Sequence, residues 1–390
     1  MDEKVRQRIR ELGYSVIREM SERAADLGGV VSLGIGEPDF HTPEEVTRQA
    51  MEDALNGRTH YVPARGDAEL VQALAERVSV QTGTRVGPDR IVITPGGMGG
   101  LSAGLLTLLE PGDEVIVPEP FFPSYRAHVA MPGGTLVPLP TRYEDGFVPD
   151  PRALEQTITP RTKCLLLNSP NNPTGMVIPG RIMDRMAEIA VRNDLVVISD
   201  EVYDQLVFGA PFESISTRPG MAERTLVVNS CSKTFAMTGW RVGYCYGPQW
   251  LMDHVVKVVN YSTTCVSSVG QRAALAAIQG DQTPFRRMRD AFESRVELVW
   301  NRVRRMKGLR AHRPSGAFYV FVDVRELSRD STAFATSLLD EERVVVIPGV
   351  AFGQSGEGFV RIACTLEESL LTQGMDRLER FSGQFGRRPA

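Results

Sequence analysis

Lys163-Cys164-Leu165-Leu166-Leu167-Asn168 and Leu195-Val196-Val197-Ile198-Ser199-Asp200 carry the strongest architectural signal in the chain. Neither run alternates apolar with polar residues, so each predicts a strand buried on both faces. Such strands belong to a sheet with helices packed on either side, the α/β arrangement. Further apolar runs at 91–94, 114–117, 135–139 and 225–229 alternate with helical stretches, and 241–246 reads as one more strand. Strand–helix alternation predicts a mostly parallel sheet in three layers.

Thr42-Pro43-Glu44-Glu45 predicts a helix start, with Thr42 as N-cap, Pro43 in the first turn and Glu45 closing a capping box. Val46, Ala50, Met51 and Ala54 then mark its buried stripe. Beyond Gln249 the pattern turns helical, and Phe285, Met288, Phe292, Val296, Val299, Val303 and Met306 recur at helical spacing, which predicts one long helix linking two domains. Strand signals return at 317–323 and 344–347, and Gly349 and Gly353 break the chain before Gly358-Phe359-Val360-Arg361. The expected division is a large α/β domain at 45–285 and a smaller α+β domain made of 1–44, the N-terminal arm, together with 286–390. Only the tail 383–390 reads as dispensable.

A chain of 390 residues exceeds the roughly 250–300 over which one core keeps growing, which also favours two domains. Hydrophobic residues at 42% and charged residues at 24% are those of an ordinary soluble protein. A net charge of −4 offers no basic field for nucleic acid, so small-molecule chemistry is favoured. The five cysteines, Cys164, Cys231, Cys245, Cys265 and Cys364, are odd in number, scattered and without a C-x-x-C pair. Neither a disulfide framework nor a metal site is expected, and a reduced, cytoplasmic setting fits. No run approaches the ~20 apolar residues of a membrane span.

The chemistry starts at Ser230-Cys231-Ser232-Lys233-Thr234-Phe235-Ala236-Met237-Thr238-Gly239-Trp240-Arg241. An ammonium is costly to bury, so Lys233 among small and apolar neighbours either reaches solvent or exchanges its charge for a covalent partner, a Schiff base. Pyridoxal phosphate forms one with an enzyme lysine, and it needs hydroxyls and a guanidinium for its phosphate and a carboxylate for its ring nitrogen. Thr94-Pro95-Gly96-Gly97-Met98-Gly99-Gly100-Leu101 follows a strand and opens a helix, which reads either as a tight turn or as an anion cradle. Asn168-Ser169-Pro170-Asn171-Asn172-Pro173-Thr174-Gly175 ends a buried strand at the sheet edge where α/β ligands bind, leaving Asn172 as a plain turn residue or a donor to a ligand oxygen. Asp200 ends the next strand at the same edge, as a helix cap or as the counter-ion of a pyridinium. Pro120-Phe121-Phe122-Pro123-Ser124-Tyr125 supplies core packing or a flat face for a ring, and Arg361 a surface charge or a bidentate carboxylate clamp.

Together these residues resemble the fold-type I pyridoxal phosphate enzymes, specifically the class I/II aminotransferases and their prokaryotic aspartate aminotransferase-like branch. The resemblance runs through Gly36-Glu37-Pro38-Asp39-Phe40, Tyr61-Val62-Pro63, Asn171 to Gly175, Ser199 to Tyr203, Ser230 to Arg241, Pro314-Ser315-Gly316-Ala317-Phe318-Tyr319 and Arg361, nearly the whole chain. It implies that Lys233 is the Schiff-base lysine and proton shuttle, Asp200 the partner of the ring nitrogen, and Asn172 and Tyr203 donors to the phenolic oxygen. Phe122 takes the ring-stacking position, and the Gly97 and Met98 amides with Ser230, Ser232 and Arg241 the phosphate cup. Arg361, with Asn172 and the backbone near Gly36, takes the α-carboxylate. Tyr61 resembles the tyrosine that reaches the neighbouring subunit's phosphate, which implies a homodimer with shared active sites.

The implied reaction is transamination from an L-amino acid to a 2-oxo acid, with 2-oxoglutarate resetting the enzyme in ping-pong fashion. Closure of the smaller domain excludes water. Met98 stands where many relatives carry a polar residue, Cys364-Thr365-Leu366 departs from the usual residues after the clamp arginine, and no second arginine announces itself for a distal carboxylate. Phe121, Phe122, Tyr125 and Met98 therefore favour a donor with an apolar side chain. Two alternatives remain at this point: a β-lyase on the same fold, and a non-catalytic cofactor-binding regulator.

Overall fold

The computed structural model describes residues 4–385 apart from 11, 14, 15, 26, 210 and 211. Its strands, in chain order, are β1 (Val31–Ser32), β2 (Ile91–Thr94), β3 (Glu114–Glu119), β4 (Thr135–Pro140), β5 (Thr162–Asn168) and β6 (Val196–Asp200). There follow β7 (Thr225–Ser230), β8 (Gly243–Tyr246), β9 (Tyr319–Asp323), β10 (Val344–Val345), β11 (Ile347–Pro348) and β12 (Phe359–Ala363). Seven of them form the central sheet in the order β2-β8-β7-β6-β5-β3-β4. All neighbours from β7 to β4 are parallel, and β8 alone runs against the rest. The α/β class with helices on both faces is as the apolar runs require.

The strand interiors show why. In β5, Cys164 and Leu166 turn to a core shared with the helices Gly96–Leu108 and Gln249–Thr263, while Leu165 and Leu167 turn to one shared with the helix Gly180–Arg192. Ile198 and Val197 of β6 divide between the same two cores. Alternate side chains thus feed opposite layers, and neither face tolerates a polar alternation.

A second, antiparallel sheet of order β11-β12-β9 lies beyond the helix Thr283–Val303, and β1 pairs with β10. Its core mixes Val31 and Leu33 from the N-terminal part with Val299, Val322, Val360 and Leu378 from the C-terminal part. The predicted stripe of the long helix is buried from Phe285 to Val303, and Met306, although buried, lies past the helix end. Arg295 on this helix holds Asp39 with two hydrogen bonds of 2.7 and 2.9 Å and so pins the segment that carries Gly36.

Several local expectations are corrected. Thr42 does not cap the helix Glu44–Leu55, whose N-cap is Pro43 without a side-chain bond. The Thr42 hydroxyl instead donates to the Ala236 carbonyl (2.7 Å) and accepts from the Trp240 indole (3.0 Å), tertiary partners that outcompete the local box. On that helix Val46 and Ala50 are buried but Met51 faces out. Residues 344–347 are not one strand: Val344 pairs with Val31, and Ile347 with Arg361 in another sheet. Arg241 stands outside β8 with a left-handed φ of 58°. Residues 383–385 are not dispensable tail, because the helix Glu368–Phe385 continues through them and the Phe385 ring packs 5.0 Å from Phe381; 386–390 lie outside the described residues. Among the described residues no helix is long and apolar enough to cross a membrane.

Phe292 is fully buried, with ring contacts to Phe40 at 5.5 Å and Phe318 at 5.0 Å, and so ties the long helix to the segment over the site. Phe292→Ala is expected to lower stability by about 3–5 kcal/mol, read by urea denaturation.

Candidate active site

The carboxyl ends of β5, β6 and β7 deliver Asn168, Asp200 and Ser230 to one edge of the sheet. A cavity of about 360 Å³ opens there, roofed by the 36–37 segment and by Tyr319 and Arg361 of the second sheet. Its chemistry is distributed along its length.

Asp200 is buried beside the cavity. Its Oδ2 accepts from the Tyr125 hydroxyl at 2.6 Å and its Oδ1 from the Val202 amide at 3.4 Å. Burial drives its pKa up to about 6 against the pull of those bonds. No helix starts at Asp200, and among the described residues no cation pairs with it, so the helix-cap reading falls away. The Asn168 side-chain amide fixes the Asp200 backbone by donating to its carbonyl at 3.0 Å.

Ser230, Ser232, Arg241 and Gly97 also line the cavity. The Ser230 hydroxyl caps the short helix Cys231–Thr234, accepting from the Ser232 amide at 3.2 Å and donating to its hydroxyl at 2.9 Å. The helix Gly96–Leu108 begins here without a side-chain cap, so the Gly97 and Met98 amides belong to a first turn whose donors are free for an anion. Glycine is required for the fit: a Cβ on Gly96, whose φ is 69°, would lie 2.6 Å from the Arg241 guanidinium. The glycine run thus combines a tight turn with backbone donors directed at the cavity.

Lys233 lines the same cavity, its Nζ donating to the Gly36 carbonyl at 2.7 Å. Burial lowers its pKa to about 8; nearby Glu37 opposes the shift, and Arg361 and Arg241 add to it. Arg361 is 1% exposed, donates through Nη1 to the Asn172 side-chain oxygen (2.9 Å) and through Nη2 to the Gly34 carbonyl, and stacks on Tyr319. Its Nε has no hydrogen-bond partner, an orphaned charged donor facing the need for an anion. The turn is made by Asn171, which accepts from the Thr174 amide at 3.1 Å, so Asn172 is free of it and its side-chain amide keeps its donors.

Phe122 and Met98 form the apolar wall with Leu101, and the Met98 sulfur sits 3.5 Å from His128. Phe121 does not contribute: it is buried on the other side of the turn beneath Arg126. Tyr203 lines the cavity with its hydroxyl 2.9 Å from that of Tyr319. Tyr61 is 86% exposed and stands away from this chain's cavity. The roles of Tyr125 and Tyr319, and the place of Glu37 and Thr238 on the lining, were not assigned from sequence; each depends on a contact between segments distant in the chain.

One cavity thus gathers a buried lysine amine, a carboxylate without a cation and a cluster of hydroxyls with a guanidinium, a set suited to carbonyl–amine chemistry. Residues 28–378 match the family described as aminotransferase class I and II. The chain belongs to that family and is a pyridoxal phosphate-dependent aminotransferase. It is 40% identical over 377 residues to aromatic-amino-acid aminotransferase 2 of Thermococcus litoralis, covering 96% of this chain and 97% of that protein. The aspartate aminotransferase of Pyrococcus abyssi is 40% identical over 370 residues, covering 94% and 95%. A solved structure of the aspartate aminotransferase of Thermus thermophilus with maleate superposes with a TM-score of 0.92 at 37% identity, over 96% of this chain and 99% of that one. These relatives do not favour the lyase alternative.

The lowered proton affinity of Lys233 has a direct readout. Only its neutral amine is nucleophilic, so in cofactor-free protein its labelling by trinitrobenzenesulfonate should rise with pH with a midpoint near 8. Peptide mapping distinguishes Lys233 from Lys4, Lys163, Lys257 and Lys307; a midpoint in the ordinary lysine range, near 10.4, would contradict its enclosure.

Proposed function

We propose that this cavity holds pyridoxal phosphate and that the enzyme transfers the amino group of an L-amino acid with an apolar or aromatic side chain to 2-oxoglutarate. The observation that carries the reading is Lys233, held with a lowered proton affinity in one cavity with a buried carboxylate that has no cationic partner and a helix start without a side-chain cap. The bound cofactor supplies an electron sink that makes the substrate α-proton labile.

The chain's own residues do the rest. Asp200 keeps a proton on the ring nitrogen, and Tyr125 orients its carboxylate. Ser230, Ser232, Arg241 and the Gly97 and Met98 amides take the phosphate, Phe122 offers its ring as a stacking face, and Asn172 and Tyr203 donate to the phenolic oxygen. Arg361 binds the substrate carboxylate through the donor now without a partner, beside Asn172 and the backbone at Gly36. Lys233, once released, carries the proton between the substrate α-carbon and the cofactor.

Among the described residues, Lys233, Arg241 and Arg361 are the cationic side chains lining the cavity, and each already has a role. Glu37 lies at the mouth, where it repels a distal carboxylate, and Met98, Leu101 and Phe122 present apolar surface. These features support an apolar donor, with glutamate as the second amino acid of the cycle. A panel of twenty amino donors with 2-oxoglutarate, read as glutamate formed, tests this: aromatic or aliphatic donors should lead, and aspartate as the one strong donor would overturn the preference. Lys233→Ala should abolish turnover in every case while circular dichroism stays that of the folded protein.

The reading extends to the assembly: a homodimer in the cytoplasm, with the exposed Tyr61 reaching the neighbouring subunit's phosphate. Free cysteines throughout the described chain support a reducing compartment. Residues 45–285 act as the cofactor-binding domain, and 1–44 with 286–390 as the smaller domain that closes on substrate. Neither Tyr61→Ala nor Lys233→Ala subunits should be active at wild-type rates alone, yet hybrids of the two rebuild one intact site. A statistical mixture should recover roughly a quarter of wild-type activity, as expected for two-fold symmetry with shared sites; no recovery would place Tyr61 outside the partner's site.

A further inference from the structure

Tyr319 touches both functional poles of the cavity. Its hydroxyl is 2.9 Å from that of Tyr203, and its ring lies under the Arg361 guanidinium, 4.5 Å from the centroid. The register of β9 with β12 sets Arg361 opposite Phe321, which makes Tyr319, two residues along, its diagonal neighbour on the same face. The ring is 2% exposed, and the space beside its hydroxyl is closed by Gly36, where any Cβ would collide with that oxygen. The hydroxyl is thereby confined against Tyr203.

A tyrosine hydroxyl has one proton to donate and lone pairs to accept with. Two buried hydroxyls joined by one bond therefore share one proton between them and leave the other for a third group. When the Tyr203 proton serves the cofactor's phenolic oxygen, the bond between the tyrosines has to be donated by Tyr319. We propose that Tyr319 is a positioning residue of the transamination: its hydroxyl donates to Tyr203 and turns the Tyr203 proton toward the cofactor, while its ring braces Arg361 for the substrate carboxylate. This rests on the function proposed above. Consecutive hydrogen bonds polarise one another, so the donation also makes Tyr203 a stronger donor.

The charged groups facing the pair are Arg361 from β12, Asp200 from the end of β6, Lys233 from the helix Cys231–Thr234 and Glu37 from the N-terminal segment. Tyr319→Phe removes none of them. A weaker Tyr203 donor stabilises phenolate charge less, so the neighbouring proton of the cofactor–lysine linkage is held more tightly.

Two substitutions separate hydroxyl from ring. In the holoenzyme, Tyr319→Phe should raise the pH midpoint of the visible absorbance change by about half to one unit, the worth of one neutral hydrogen bond. It should also lower kcat and leave KM for the best amino donor unchanged, because the ring still lies under Arg361. Tyr319→Leu should show the same midpoint shift together with a raised KM. In a Tyr203→Phe background, Tyr319→Phe should move the midpoint no further. A wild-type midpoint in Tyr319→Phe, or an equal extra shift in the Tyr203→Phe background, would overturn the proposal. A holoenzyme preparation with no visible band at all would instead refute the cofactor reading, and this inference with it.

Discussion

The parallel hydrogen-bonded register of β5, β6 and β7 is the constraint from which the site follows. It sets Asn168 beside Asp200 and brings Ser230 to the same edge, so three chemically different residues meet although 62 positions separate the first from the last. Side chains alternate along a strand, so a slip of one residue would turn Asp200 away from the cavity and Ser199 into it. Ser199 now faces the other way, donating to the buried Glu201 carboxylate at 2.7 Å. The apolar cores on both faces hold that register, and the chemistry at the edge inherits its precision from packing.

Electrostatics then specify what the cavity accepts. Asp200, Lys233 and Arg361 are enclosed without a mutual ion pair, and burial displaces each toward its neutral form. In cofactor-free protein this leaves a signature in stability. The folded-state pKa of Asp200 is raised from 3.8 to about 6, so folding loses stability as pH rises through that window. That of Lys233 is lowered from 10.5 to about 8, so folding regains stability as pH rises from about 8 to 10.5. The neutral range between is where the empty site strains the fold most. A ligand that brings a cation to Asp200 and removes the lysine charge relieves both.

The strands, the long helix and most of the site were legible in the sequence because each has a local cause. Unalternating apolar runs specify two-faced burial, and residues that end such runs must lie at the sheet edge. What was not legible depends on tertiary partners. Thr42 has the pattern of a cap yet serves Ala236 and Trp240, and Phe121 and Phe122 are identical neighbours whose division between core and cavity is decided by the turn that carries them. The run 344–347 changes sheets between Val345 and Ile347, which no periodicity over four residues can reveal. Tyr125 and Tyr319 join the cavity through contacts with Asp200 and Arg361, 75 and 42 positions away.

The segment from Gly36 to Thr42 is fastened at unequal points. Asp39 is clasped by Arg295 and Thr42 is moored to Ala236 and Trp240, whereas the Gly36 carbonyl is held by the Lys233 ammonium. On either side of Gly36, the Gly34 carbonyl accepts from Arg361, the Ile35 carbonyl from Thr365 at 2.8 Å and the Glu37 carboxylate from Thr238. The stretch over the cavity is thus bound on both flanks to three residues distant in the chain, and Gly36 is the point at which it meets the lysine nitrogen directly.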